Sequence, residues 1–190
     1  MDDAAVWPAR HKLNVDEYYR LGEVGILGED DRVELIDGEV LDMAPIGPGH
    51  EVTVSGLTKT LVMACLDRAI VSPQNSIRLD RSSAPQLDLA VLRPRADFYS
   101  TGERAGAEDV LLLIEVADSS LHYDRTVKVP LYARAGIAEL WIVDLKRGVV
   151  ETYRVPAGEG YRETVTYQRG GEIALALAPE IIVRLDLIFG

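Results

Sequence analysis

One cysteine, no basic run longer than two residues and no long apolar run mark this 190-residue chain first by what it lacks. Cys65 has no intrachain partner, so disulfides contribute nothing and a reducing compartment is expected. No stretch approaches the roughly 20 apolar residues that a helix needs to span a bilayer. The start, Met1-Asp2-Asp3-Ala4-Ala5, is acidic and unlike the basic opening of a signal peptide. These absences predict a soluble, cytoplasmic protein with no membrane partner. Repeats, low-complexity tracts and evident linkers are also missing, and the length suits a single domain over residues 1–190.

What is present is ordinary globular material, 47% hydrophobic and 27% charged, enough to bury roughly 70% of the unfolded surface. The net charge is −11 and the pI about 4.7. That balance argues against nonspecific polyanion binding, which draws on clustered Lys and Arg. It leaves room for a local basic rim or a metal-bridged phosphate.

Along the chain, Asn14 caps a short helix with Asp16 and Glu17 in its first turn. Arg32–Ile36 and Glu39–Met43 flank Asp37-Gly38, a type I′ hairpin signal. The Pro45-Ile46-Gly47-Pro48-Gly49 loop then releases a helix from about His50 to Arg68, with Val54, Leu57, Leu61 and Cys65 on one stripe. Short strands are predicted at Ser76–Leu79 and through Asp88, then a polar loop from Arg93 to Asp109. A strand through Glu115 follows, apolar on both faces as a covered central strand would be. A helix from Asp124 to Ala135 stops at Gly136, and Pro130 inside it predicts a kink or a start near Val127. Glu139–Leu145 and Val149–Val155 form a second hairpin, and the tail alternates short strands at Thr164–Gln168 and Glu172–Leu177. The fold class is α/β (α+β): a mixed sheet flanked by helices, with an N-terminal hairpin.

The chemistry centres on two carboxylates in apolar runs, Leu87-Asp88-Leu89-Ala90-Val91-Leu92 and Val110 to Ala117 with Glu115 inside it. A lone ionised carboxylate in such a strand costs several kcal/mol unless compensated. A shared divalent cation is one compensator. Period two puts Asp88 with Ala90 and Leu92, and Glu115 with Leu111, Leu113 and Ala117. If these faces coincide on neighbouring strands, the carboxylates meet at one sheet edge. Two carboxylates, the Val116 backbone carbonyl and waters suit Mg²⁺ or Mn²⁺. Lys128 then orients a metal-activated water or neutralises transition-state charge. Asp124, four residues earlier, holds it or belongs to a surface pair. Glu34 is a candidate third carboxylate, and His50, after the Gly-Pro-Gly loop, a proton-transfer group or phosphate contact.

The ordered set Glu34-Leu35-Ile36-Asp37-Gly38-Glu39, His50, Pro85-Gln86-Leu87-Asp88, Glu115-Val116-Ala117-Asp118-Ser119-Ser120, Asp124 to Ala133 and Gly136 to Asp144 resembles the Uma2 family. That family belongs to the PD-(D/E)XK superfamily of restriction-type endonucleases, and the resemblance spans roughly Asn14 to Tyr153. It implies a restriction-endonuclease-like core, Asp88 and Glu115 as metal ligands, and Lys128 as the catalytic lysine. Two positions depart from the pattern. Leu87 stands where the family has proline before its aspartate, and Ala117 where the superfamily's E-x-K has lysine. The Uma2 branch supplies its lysine from the following helix, which is Lys128 here.

The expectation is a divalent-metal-dependent phosphodiesterase, a DNA endonuclease above all, with Asp88, Glu115, Lys128, Glu34 and His50 in its site. The rival expectation, prompted by the net charge of −11, is a catalytically silent dimeric interaction module on the same fold. Each site residue also has a plain reading. Asp88 and Glu115 pair with Arg78 or Arg93, or end in water; Lys128 is a solvated partner of Asp124; Glu34 faces solvent; His50 is a satisfied buried histidine. Trp141 and Tyr132 read as core, Cys65 as an inert small hydrophobe, and His11 and His122 as surface. The apolar Leu185–Phe189 stretch and the second hairpin read as a subunit contact of a homo-oligomer, a dimer first.

Overall fold

Asn14 opens the first helix of the computed structural model, which describes residues 9–28, 30–101 and 104–189. The acidic residues 1–5 lie outside this range. The Asn14 side chain accepts from the Glu17 N–H at 3.0 Å, and Glu17 answers by accepting from the Asn14 N–H at 2.8 Å. This reciprocal cap starts α1 at Val15–Glu23. Next comes an antiparallel hairpin of β1 (Val33–Ile36) and β2 (Glu39–Asp42). Its turn residues Asp37 and Gly38 have φ of 48° and 79°, the left-handed pair that a type I′ turn requires. The hairpin docks through the Ala84 N–H donating to the Leu35 carbonyl at 2.8 Å and the Gly38 N–H to the Ser82 carbonyl at 2.8 Å.

The helix α2 runs Pro48–Cys65, with proline in its first turn. It starts two residues before His50, so His50 sits inside the first turn. The main sheet has six strands in the order β3 (Ile70–Pro73), β4 (Leu89–Leu92), β5 (Val110–Ala117), β6 (Glu139–Asp144), β7 (Val149–Ala157) and β8 (Gly160–Gln168). Only β5 and β6 are parallel; every other neighbour is antiparallel, so the sheet is mixed. A separate pair, β9 (Glu172–Ala174) with β10 (Ile182–Arg184), packs beside it.

Both faces of the sheet are covered. On one, Val54, Leu57, Leu61 and Cys65 of α2 pack against Leu112, Ile114 and Val116 of β5 and Trp141 and Val143 of β6. On the other, Leu131 and Tyr132 from a later helical segment pack against Leu113, Ala117, Leu140 and Ile142. This double cover explains why β5 and β6 are buried at every position.

The helical segment before β6 is built in three parts: α3 (Leu121–Tyr123), a wide turn at Asp124–Lys128 and α4 (Val129–Arg134). In the wide turn the Val129 N–H reaches back five residues to the Asp124 carbonyl, a π-type bond. The regular helix α4 starts at Val129, two residues past the start expected near Val127. Pro130 sits in the first turn of α4, where a missing N–H is tolerated, and the helix stops at Gly136 (φ 77°) as expected.

Other expectations are corrected. No strand forms at Ser76–Leu79; Ser76 and Arg78 make only isolated bridges, to Gln86 and Gly106, and the edge strand is β3. Asp88 lies one residue before β4, where its carboxylate takes the Val116 N–H in place of a ladder carbonyl. Arg78 pairs with Asp16 and the Arg93 side chain donates to the Glu108 carbonyl, so neither compensates Asp88 or Glu115. In the tail that read as part of a subunit contact, Leu185 and Ile188 are instead buried in the α2-side core; of the second hairpin, β6 is buried throughout while β7 is partly exposed from Tyr153 onward. Among the described residues no helix is long and apolar enough to cross a membrane.

Candidate active site

Antiparallel pairing of Leu89 with Ile114 and Ala90 with Leu113 brings Asp88, one step further on, beside Glu115. Glu115 shares its sheet face with Leu113 and Ala117, the face that carries α4. There the π turn delivers Lys128, which is buried with its Nζ 3.1 Å from Glu115 Oε1 and 3.2 Å from Glu34 Oε2. The ammonium also donates to the Gln86 carbonyl at 3.2 Å. An ammonium has three N–H donors, and these three acceptors match them.

Each carboxylate is held from more than one side. Glu34 accepts from the Tyr123 hydroxyl at 3.1 Å and the Gln86 N–H at 3.3 Å. Glu115 Oε1 also accepts from the Tyr132 hydroxyl. Asp88 Oδ2 accepts from the Val116 N–H at 2.7 Å, and Oδ1 faces His50 Nε2 at 2.9 Å. Asp124 does not bond Lys128; its Oδ2 accepts from Ser120 Oγ at 2.7 Å. All five residues singled out from the sequence, Glu34, His50, Asp88, Glu115 and Lys128, therefore line one cavity of about 330 Å³.

The plain readings of Glu34 and Lys128 are overturned by burial, since both are nearly inaccessible and bonded to each other. Tyr132 is core as expected, yet its hydroxyl serves the site. Tyr123, Gln86, Ser120 and Tyr132 were not picked out for this role. For Tyr132 a signal existed: it lies four residues after Lys128, on the same helix face. The Gln86 contribution is backbone and leaves no side-chain signature.

Electrostatics follow from the burial. Burial pushes the Glu115 carboxyl up to about 8; the Lys128 charge pulls it down and the Asp88 charge adds to the rise. Burial works against the Lys128 ammonium, but Glu115, Glu34 and Asp124 outweigh it and raise its pKa. Burial also raises Asp124, against its Ser120 hydrogen bond. The cavity is lined by Glu34, Asp42, Asp88, Glu115, Asp118 and Asp124 against the cations Arg32 and Lys128. That surplus of negative charge asks for a cation.

Among the described residues no group of three or more His, Cys, Asp or Glu side chains is disposed to hold a metal ion. Mg²⁺ does not need one, because it keeps several waters and binds through one or two carboxylates. Glu115 Oε2 accepts no hydrogen bond among the described residues, and Asp88 keeps a lone pair on each oxygen beyond its one partner. With the Val116 backbone on the same wall, the donor set fits a hard divalent ion.

Fold and site together define the class: an α+β protein with a restriction-endonuclease-like core and a carboxylate–lysine cluster at the edge of its mixed sheet. The chain belongs to the Uma2 family, described as "Putative restriction endonuclease", whose model matches residues 15–186. Its fold is similar to that of a crystal structure from Anabaena variabilis titled as a putative nuclease. The two share 16% identity with a TM-score of 0.69, covering 93% of this chain and 97% of that one. No curated protein matches the chain.

Proposed function

We propose that this protein is a divalent-metal-dependent phosphodiesterase that cuts nucleic acid, DNA first, as an endonuclease. The observation that carries the reading is the convergence of Asp88, Glu115 and Lys128 from three elements on one open cavity. Family membership supports it. Asp88, Glu115 and the Val116 carbonyl would hold Mg²⁺ or Mn²⁺. When bound, the ion polarises a phosphoryl oxygen and lowers the pKa of a water.

The chain's own groups do the rest. Lys128, charged at neutral pH because carboxylates surround it, offsets through its field the charge building on the phosphoryl group. Glu34, fixed by Tyr123 and Gln86, holds Lys128 from the hairpin side. His50 orients the Asp88 carboxylate through its 2.9 Å contact.

Cleavage of plasmid and oligonucleotide DNA with Mg²⁺, by wild type and Asp88→Asn, tests this. Cleavage by wild type that the variant lacks, with both folded, is expected. Equal cleavage by both sinks the assignment. One observation favours a second reading, the silent interaction module: the cavity carries six carboxylates and the chain a net charge of −11. On that reading neither protein binds or cuts nucleic acid under any metal.

A further inference from the structure

We infer that Arg32 grips the phosphate of the substrate at the mouth of this cavity, an inference that rests on the phosphodiesterase reading. A phosphodiester entering a cavity walled by carboxylates needs a cation with donors to offer. Lys128 has none: its three N–H groups are matched by Glu34, Glu115 and the Gln86 carbonyl, all within 3.2 Å. Arg32 is the other cation on the wall. Strand alternation turns Arg32 and Glu34 to the same side of β1, whereas Val33 between them lines a separate groove on the opposite side.

The Arg32 guanidinium is anchored but not consumed. Nη1 donates to the Ala44 carbonyl at 2.9 Å, which ties it to the loop leading into α2 and His50. It forms no ion pair among the described residues, although Asp42 lines the same cavity. The rest of the planar fork is available, and its geometry matches two non-bridging phosphate oxygens better than a single ammonium does. The backbone of the same residue is fixed as well, since the Met43 N–H donates to the Arg32 carbonyl at 2.9 Å. A pre-placed guanidinium loses little freedom on binding.

The test is equilibrium binding of a fluorescein-labelled DNA duplex, followed by anisotropy across a salt series. Ca²⁺ replaces Mg²⁺, and the probe is recovered and checked for integrity. Wild type, Arg32→Gln and Arg32→Lys are compared. The expected result is an affinity about tenfold lower for Arg32→Gln, with the log–log salt slope smaller by about one, as for one lost phosphate contact. Arg32→Lys keeps the charge and restores the slope. An unchanged slope in Arg32→Gln overturns the inference, even if affinity falls because the Ala44 anchor has loosened, and leaves the phosphodiesterase reading standing. No duplex binding by wild type at any salt overturns both.

Discussion

Glu34 Oε2 lies 3.2 Å from Lys128 Nζ, joining the first hairpin to the π turn through a buried ion pair. Neither element reaches the other through the main sheet, since β1 and β2 form a sheet of their own. The site thus depends on a charged contact between two separately built parts. Breaking it tests how the site is held.

Replacing Glu34 with Ala leaves the buried ammonium with one carboxylate fewer and strands the Tyr123 hydroxyl. Removing one partner of a buried pair costs about 3 kcal/mol or more. Urea unfolding of Glu34→Ala is expected to show a midpoint lowered accordingly, with Glu34→Gln between the variant and wild type. A midpoint equal to wild type shows that the pair is not buried as described.

Glu115 couples stability to pH in metal-free protein. Its carboxyl titrates near 4.5 when unfolded and at about 8 when folded, chiefly through burial. Across that window the folded chain holds a proton that the unfolded chain has released. Its contribution to stability is full below the unfolded value and is lost as pH rises through 8. In EDTA, wild type is expected to lose stability between pH 5 and 8 by more than Glu115→Gln does. Parallel pH profiles for the two proteins contradict the shift.

Gly38 supports the site from a distance. Its φ is 79°, and a Cβ there would stand 2.6 Å from the Lys12 Cβ and 3.0 Å from the Leu13 carbonyl oxygen. Gly38→Ala is therefore expected to cost more than about 1 kcal/mol, from backbone strain and from displacement of Lys12 and Leu13. Thermal unfolding checks this, and an unchanged midpoint rules out the close approach of Lys12 and Leu13 to Gly38.

How much of this could be read in advance follows from particular residues. The Asp37-Gly38 turn, the Asn14 cap and the double-sided burial of β5 are local signals, and each holds. The cluster of five residues was legible as an ordered pattern because each residue is a side chain with its own chemistry. The strand at Ile70–Pro73 was missed because four residues flanked by turns carry no clear alternation. Ser76–Leu79 read as a strand because its alternation is real, yet only Ser76 and Arg78 pair there, in isolated bridges to Gln86 and Gly106. The π turn is legible only as the conflict between Pro130 and a helical pattern. Arg32 escaped notice because a lone arginine at a strand start looks like solvent-facing charge.

The most direct test of the central claim needs no substrate: calorimetric titration of Mn²⁺ into wild type and Asp88→Asn. Binding by wild type that the variant loses, with proton release near pH 7 as Glu115 ionises, is the expected result. Equal binding by both proteins, or none by either, contradicts a metal centre built on Asp88 and Glu115.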